Sequence, residues 1–522
     1  MGSQMVKKAV IAAVCACCAA ALLLFIFFGP GSKGIMTMLP KPDEREMYLI
    51  AETTGGCPEL VVSLFSESFG AEGRSMSAES ALLAAAAAAE EAALLVEKNE
   101  GDGYRLCASL RFSSAETSSL KKGGLGTELG KIFKSASIRE GGTEGVFAIE
   151  SAAFGEPLFY KVSGRYVAMA ADAAALRRME EASKRGSANL GGKKWSVERG
   201  WPAHIEICDG GAITANAKEK FPVTLEAAWR GAGAEEASPA EGEARWAFVN
   251  LGKPAELWLS RSLKAEKWET GNYLIPEPLL FSAGINLPEP KGKYKDWPFP
   301  LSSLGEIAEN IGLSDSQARE ILGGQTVFSL GGQNRILWFS LPGFLVEFTG
   351  RPALMRELVE KFWENLFFGA EPKPMAGFET GGSANLPFSA VGAARGGVAA
   401  LGLATPQSLE GGAKTLGRYL KDGEEAIGWA IADLPRIGAA LSDMTKMSSF
   451  LEEEAYEDED FSDFESGGVP GMLQPDITTT PFDQEIADSF GNVLKRMGRI
   501  FIVWEKPLSG RLLWYSSQKS AN

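Results

Sequence analysis

The chain has 522 residues, of which 45% are hydrophobic and 23% are charged. These fractions are typical of globular proteins and exclude a collagen-like, coiled-coil or wholly disordered chain. The formal net charge of -15 and the single histidine, His204, argue against nucleic acid as a partner and against most histidine-based catalysis.

The N-terminal residues are predicted to anchor the protein in a membrane. Ala9 to Phe28 carry no charge, and a helix of this length spans about 30 Å, which matches the hydrocarbon core of a bilayer. Lys7 and Lys8 precede it, so the positive-inside rule predicts a cytoplasmic N-terminus (1–8) and an extracytoplasmic location for the bulk of the chain. A cleaved signal peptide is the alternative, but its apolar region is usually shorter. We therefore expect a single-pass protein of the cytoplasmic (inner) membrane, in contact with the lipid bilayer through Ala9 to Phe28.

The next elements are predicted from composition and periodicity. Residues 29–46 contain Gly, Pro and Lys without apolar periodicity, which predicts a juxtamembrane linker. The folded part is expected to begin near Met47 with a strand. Ala78 to Lys98 are rich in alanine and predict one long helix, and residues 104–112 alternate as a strand does.

A comparison of the chain with itself predicts a duplication. Residues 158–179 align without a gap with residues 337–358, and this alignment places Gly164 opposite Gly343. Both glycines are therefore expected at equivalent hairpin turns.

Capping signals predict the helices of the two copies. In the second copy Ser314 and Gln317 form a capping-box pattern, and Pro352 is expected at the first position of a later helix. In the first copy Asp172 is expected to cap the helix 173–182.

The predicted fold class is α+β, with an N-terminal transmembrane helix followed by tandem duplicated domains of antiparallel sheet layered with helices. The first repeat domain is placed at 47–245 and the second at 246–428. Residues 429–522 are expected to be a partial third repeat or a segment that completes the sheet, and they contain an acidic loop at 451–465.

The chain combines one predicted span with duplicated units, and each unit contains a capped helix, a Gly-Gly pair, a Val-Phe strand, a hairpin and a helix with Arg. This pattern resembles a known group of proteins. This group comprises uncharacterised bacterial single-span envelope proteins with duplicated extracytoplasmic domains of unknown function. The resemblance implies an envelope location and this architecture, and it implies no functional residues.

The candidate sites give no catalytic, cofactor-binding or metal residue. His204 and Glu206 would lie on one face of a strand, but zinc generally needs three or four protein ligands, so a packing role is expected. Gly29, Gly31 and Gly34 match a dinucleotide-binding pattern, yet they follow the predicted span instead of a strand.

Three further features leave alternatives open. The acidic segment 451–465 is predicted to be a solvated loop, and the alternative is a site for a cation or a basic partner. The aromatic cluster 362–368 is expected in a core, and the alternative is an apolar ligand groove. Cys57, Cys107 and Cys208 are either buried thiols or one disulfide with a free thiol.

The sequence predicts a non-enzymatic binding or scaffolding protein of the bacterial cell envelope, without cofactors and with an envelope protein or an apolar ligand as partner. Two alternatives stay open: a carrier or chaperone of an apolar ligand such as lipid, and a carboxylate-based hydrolase. A cavity lined only by apolar side chains would favour the carrier. Two carboxylates facing each other in a cleft would favour the hydrolase.

Overall fold

The structure is a computed structural model that describes most of the residues from Ile35 to Tyr515. The residues outside the description within this range are 44, 54–77, 99–103, 152–155, 200, 202, 212–221, 232–241, 252–262, 288, 290–291, 293–300, 337–338, 368–369, 386–388, 410–415, 418–419, 441–490, 492–493 and 496–497. The predicted span Ala9 to Phe28, the acidic segment 451–465 and Cys57 therefore lie outside the described residues.

The chain divides into two compact units. The first comprises residues 1–238, 242–259 and 508–512, and the second comprises residues 239–241, 260–507 and 513–522.

The first unit is an antiparallel sheet with helices. Its elements are β1 (Met47–Thr53), α1 (Ala78–Ala87), β2 (Glu91–Lys98), β3 (Tyr104–Arg111), α2 (Ser114–Lys121), α3 (Thr127–Ile132), β4 (Ser137–Glu140), β5 (Val146–Glu150), β6 (Leu158–Ser163), β7 (Tyr166–Ala170), α4 (Ala173–Lys184), β8 (Ala203–Asp209), β9 (Thr224–Gly231) and β10 (Gly242–Asn250). The strands pair in the order β4-β5-β6-β7-β3-β2-β1-β8-β9-β10. A 3-10 helix, Ile35–Met38, packs with α4 in the core of this unit.

The second unit is also an antiparallel sheet with helices. Its elements are β11 (Glu266–Trp268), β12 (Leu279–Asn286), α5 (Leu301–Asn310), α6 (Asp315–Leu322), β13 (Gln325–Ile336), β14 (Phe339–Thr349), α7 (Pro352–Lys361), β15 (Thr380–Asn385), β16 (Ser389–Arg395), β17 (Val398–Leu403), α8 (Pro406–Leu409), β18 (Glu424–Ala426), β19 (Gly428–Asp433), a helix at 434–440 and β20 (Arg499–Lys506). The last strand, β21 (Ser509–Tyr515), has its residues 509–512 in the first unit and 513–515 in the second. The main sheet contains β15-β16-β17-β14-β13-β12-β19-β20 in that order, and β11 pairs with β18 separately.

The expected fold class, α+β with an N-terminal transmembrane helix, is wrong. Strands account for 44% of the described residues and helices for 27%, so the protein is mostly antiparallel sheet. None of the helices that the structure describes combines the length and the apolar character needed to cross a membrane. The described residues therefore do not support the prediction of a single-pass membrane protein.

The two units repeat a strand order, but the predicted alignment of the repeat is wrong. The series β5-β6-β7-β3-β2-β1-β8-β9 has the same pairing order as β15-β16-β17-β14-β13-β12-β19-β20. Gly164 lies in the turn between β6 and β7 with a φ of 64°, whereas Gly343 lies within β14 and pairs with Gly331. The two glycines are therefore not equivalent.

The long helix predicted from Ala78 to Lys98 is wrong in its second half. Helix α1 ends at Ala87, and Glu91–Lys98 form strand β2 between β1 and β3. Ala, Glu and Leu favour a helix locally, but pairing on both sides of β2 satisfies its backbone and buries nearly all of its side chains.

The capping predictions are confirmed. The Asp172 carboxylate accepts a hydrogen bond from the Ala175 backbone N–H at 2.6 Å and starts α4. Ser314 and Gln317 form the complete capping box at the start of α6, and Pro352 is the first residue of α7. These signals depend on neighbours in sequence, which is why the sequence alone identifies them.

Candidate functional site

The second unit contains an apolar cavity of about 560 Å³ between its sheet and its helices. Strands β14 and β17 form one wall, and α5, α6 and α7 with their connections form the other. Among the described residues, none that lines the cavity carries a charged or polar side chain. Its volume lies within the range of about 300–1,000 Å³ that is usual for small-molecule sites.

The sheet wall follows from the alternation of side chains along a strand. Phe344, Val346 and Phe348 of β14 are two residues apart, so they face the same side of the sheet. Leu401 and Leu403 of β17 lie opposite Val346 and Phe344 in the antiparallel register. The five side chains form a continuous hydrocarbon surface.

The helix wall is fixed by hydrogen bonds to the connection between α5 and α6 from α7 and from the π-helical turn Phe362–Leu366 that follows it. The Lys361 Nζ donates to the Gly312 carbonyl at 2.9 Å, and the Asn365 Nδ2 donates to the Ile311 carbonyl at 3.2 Å. Gly312 has a φ of 81°, a conformation that favours glycine. These contacts hold Ile311 and Leu313 against the cavity.

The aromatic cluster that the sequence placed at 362–368 has two roles. Trp363 is buried in the core and its Nε1 donates to the Gly392 carbonyl at 2.8 Å. Phe362 and Phe367 line the cavity, with their ring centroids 5.0 Å apart. The core interpretation therefore fits Trp363, and the groove interpretation fits the two phenylalanines.

The cavity reaches the surface of the unit at Phe344. This side chain lines the cavity and is also 40% exposed. The edge of the cavity at Phe344 is therefore accessible to solvent.

A buried carboxyl group lies on the other face of β14. Glu347 is between two cavity-lining residues in sequence but is only 1% exposed. Its Oε1 accepts a hydrogen bond from the Leu274 backbone N–H at 2.8 Å, and its Oε2 has no hydrogen-bond partner among the described residues. Burial raises the pKa of Glu347 to about 8, because the charged form loses its hydration.

The predicted pair His204 and Glu206 belongs to a buried polar cluster in the first unit. Trp195 stacks on His204 with ring centroids 5.0 Å apart, and the His204 Nε2 lies 3.0 Å from the Glu198 carbonyl. Glu206 instead pairs with Lys193 and accepts a hydrogen bond from the Tyr48 hydroxyl. The two side chains therefore have different protein partners.

Burial perturbs the titration of this polar cluster. It raises the pKa values of Glu52 and Glu206, and it lowers the pKa of His204. Glu206 and Glu226 lie opposite each other on β8 and β9, and Lys193 contacts both carboxylates. Both glutamates are nearly inaccessible, at 6% and 3% exposure, so they do not face each other in a cleft.

The described residues contain no group of three or more His, Cys, Asp or Glu side chains that could hold a metal ion. Cys107 and Cys208 are buried thiols. Burial raises the pKa of Cys107 to about 12, which leaves this thiol protonated and unreactive near neutral pH.

Sequence reasoning found only part of the cavity. The cluster 362–368 was singled out by its aromatic density, whereas β17 and the α5–α6 corner were not. Alternation in FLVEFT shows which residues of β14 share a face, but it does not show which segments lie opposite them.

Comparisons with known proteins return no match: no protein-family model, no curated protein and no solved structure is significantly similar to the chain. The resemblance to bacterial envelope proteins therefore stays a prediction, and the function is argued from the site.

Proposed function

We propose that the protein is a non-enzymatic binding protein or carrier for an apolar small molecule, such as the hydrocarbon chain of a lipid. The observation that supports this proposal is the cavity of about 560 Å³, whose lining, as far as the structure describes it, is entirely apolar. Such a site binds through the transfer of apolar surface out of water, at about 25 cal/mol per Å².

The composition of the lining argues for binding without chemistry. General acid–base and nucleophilic catalysis need a polar group within hydrogen-bond reach of the reacting atoms. The nearest perturbed carboxyl group along β14, Glu347, is on the opposite face of the sheet from Val346 and Phe348. A bound molecule would therefore be held and released unchanged.

The cavity favours this proposal over the two other functions that the sequence left open, scaffolding and hydrolysis. A scaffolding protein needs an outer surface and no internal void, so the cavity gives scaffolding no support. A hydrolase needs accessible carboxylates, but Glu206 and Glu226 are buried and paired with Lys193.

A cavity-filling variant tests the proposal. Val346 lines the cavity, so the larger side chain in Val346→Phe would occupy the space of the ligand. We expect titration with a fluorescent polyene fatty acid to show saturable binding to the wild type and at least ten-fold weaker binding to Val346→Phe. The variant should melt at the same or a higher temperature, because filling a cavity commonly stabilises a protein by about 0.5–2 kcal/mol.

Val249→Phe is the matched control, since Val249 is a 37% exposed valine of β10 in the first unit. This control should bind the fatty acid as the wild type does. Equal affinity of Val346→Phe and the wild type, with both folded, would show that the fatty acid binds elsewhere and would refute the proposal.

A further inference from the structure

The apolar wall of the cavity continues along the sheet of the second unit. Phe328 and Leu330 of β13 lie directly opposite Val346 and Phe344 of β14, so all four side chains share one face. Phe328 is not part of the cavity lining and is 38% exposed. The hydrocarbon surface therefore extends past the cavity mouth.

The same face continues across three more strands. Register pairs Phe281 and Ala283 of β12 with Leu330 and Phe328, and it then leads to Ala430 of β19 and Ile502 of β20. We name this surface the apolar strip; its residues are Phe281, Ala283, Phe328, Leu330, Ala430 and Ile502. Each member of the strip is half-buried or exposed, and none carries a charge.

The opposite face of these strands is covered. Val327, Trp429 and Phe501 alternate with strip residues and are at most 3% exposed in a core with Trp268 and Tyr273. These strands are thus exposed or half-buried on the face of the strip and buried on the opposite face. Trp268 and Tyr273 pack on that buried face, whereas on the strip's side the described helices α5, α6 and α7 face β14 and β17 at the cavity.

The strip has the length of a lipid tail. From β13 to β20 the strip crosses three inter-strand spacings of about 4.8 Å, which gives roughly 14 Å. One leaflet of a bilayer, half of a hydrocarbon core of about 30 Å, is roughly 15 Å thick. An extended acyl chain that enters the cavity beside Phe344 can therefore lie across the strands along the strip.

We propose that the ligand is a long-chain amphiphile whose hydrocarbon chain occupies both the cavity and the apolar strip. This inference rests on the proposed function and specifies its ligand class. Compact apolar molecules would fill the cavity alone, whereas a long chain also covers Phe328, whose exposed ring then contributes to affinity.

A comparison of chain lengths and variants tests the inference. The full-length wild type, Phe328→Ser and the control Tyr104→Ser are titrated with decanoic acid and with octadecanoic acid, by displacement of a fluorescent fatty acid. Tyr104 is a 48% exposed aromatic residue on β3 of the first unit, so its loss should change neither affinity. Each methylene group that becomes buried should strengthen binding about four-fold.

The expected result is that the wild type prefers octadecanoic acid and that Phe328→Ser weakens only this acid, by about ten-fold. If neither acid binds the wild type, the proposed function fails and this inference fails with it. If both acids bind the wild type equally, or if Phe328→Ser changes the affinity of neither, the cavity is the whole site and only the inference fails. Equal weakening of both acids would show that the effect of Phe328 does not depend on chain length, and this result would also refute only the inference.

Exposed apolar faces also mediate self-association of proteins. Sedimentation velocity on the same samples tests whether the strip does so. The inference expects wild type and Phe328→Ser to sediment alike. A dimer of the wild type that Phe328→Ser dissociates would show that a second copy of the chain covers the strip, which would overturn the inference.

Discussion

Replacing Glu347 by glutamine should change how the stability of the second unit depends on pH. Glutamine keeps the shape of the side chain and the carbonyl oxygen that accepts from the Leu274 N–H, but it cannot ionise. The groups that act electrostatically with Glu347 are the Arg395 guanidinium, which lowers its pKa, and the Tyr273 hydroxyl, whose own pKa is raised.

The magnitude follows from the pKa of Glu347 in the two states. The native state has a pKa of about 8 and the unfolded state about 4.5, so the native state binds the proton more tightly. The stabilisation is complete below pH 4.5, where both states are protonated, and it is lost as pH rises to 8. At about 1.36 kcal/mol per pH unit, the loss is on the order of 5 kcal/mol.

Urea unfolding of the wild type and Glu347→Gln at a series of pH values between 4.5 and 8 measures this effect. The difference between the two proteins removes the contribution of all other titrating groups. We expect Glu347→Gln to gain stability relative to the wild type steadily across the window. Glu360→Gln, a change at an exposed position of α7, is the control and should follow the wild type.

A stability difference between the wild type and Glu347→Gln that stays constant with pH would refute the reasoning. It would mean that Glu347 has the same proton affinity in the folded and unfolded states, which would contradict its complete burial.

Calorimetry tests three further predictions about stability. Lys193→Met should cost about 3–5 kcal/mol, because it leaves Glu206 and Glu226 buried without their shared cation, and a loss below 1 kcal/mol would contradict this assignment. Gly343→Ala should destabilise the protein more than Gly164→Ala, because a Cβ at Gly343 would lie 2.3 Å from the Leu403 carbonyl. The turn at Gly164 has open space for a Cβ, so Gly164→Ala should cost only about 1 kcal/mol, for the positive φ at this position. The reverse order would contradict the register of β14. Asp172→Ala should cost about 1 kcal/mol through the lost cap of α4, and Asp172→Asn, which keeps an acceptor, should cost less.

The parts of the fold that the sequence predicts correctly depend on near neighbours. The caps at Asp172 and Ser314 and the strand 104–112 each follow from a few adjacent residues. Residues 91–98 were assigned to a helix because their propensity favours one, and only pairing with β1 and β3 makes them a strand. Non-local pairing of this kind leaves no periodic signal in a segment buried on both faces.

The candidate site was harder to predict for the same reason. Its lining comes from the α5–α6 corner, β14, α7 and β17, which are separated in sequence and meet only in the folded unit. The alternation of Phe344, Val346 and Phe348 predicts an apolar face, but an apolar face is equally consistent with a filled core. Whether space remains between the walls depends on the tertiary arrangement.

The repeat shows how local similarity misleads an alignment. Residues 158–179 contain the hairpin β6–β7 and the start of α4, whereas the aligned residues 337–358 contain the single strand β14 and the start of α7. The alignment therefore pairs Gly164 of a turn with Gly343 inside a strand. The strand order instead places β6 and β7 in the positions of β16 and β17. Topology is set by which strands pair, and a hairpin followed by a helix occurs twice in each repeat.

Native mass spectrometry of the purified protein tests the central claim most directly. The account predicts that wild type and Val249→Phe retain an added long-chain fatty acid in a one-to-one complex, whereas Val346→Phe, with its cavity filled, does not. Identical spectra for wild type and Val346→Phe, both carrying the fatty acid or both without it, would contradict the claim that this cavity is the binding site.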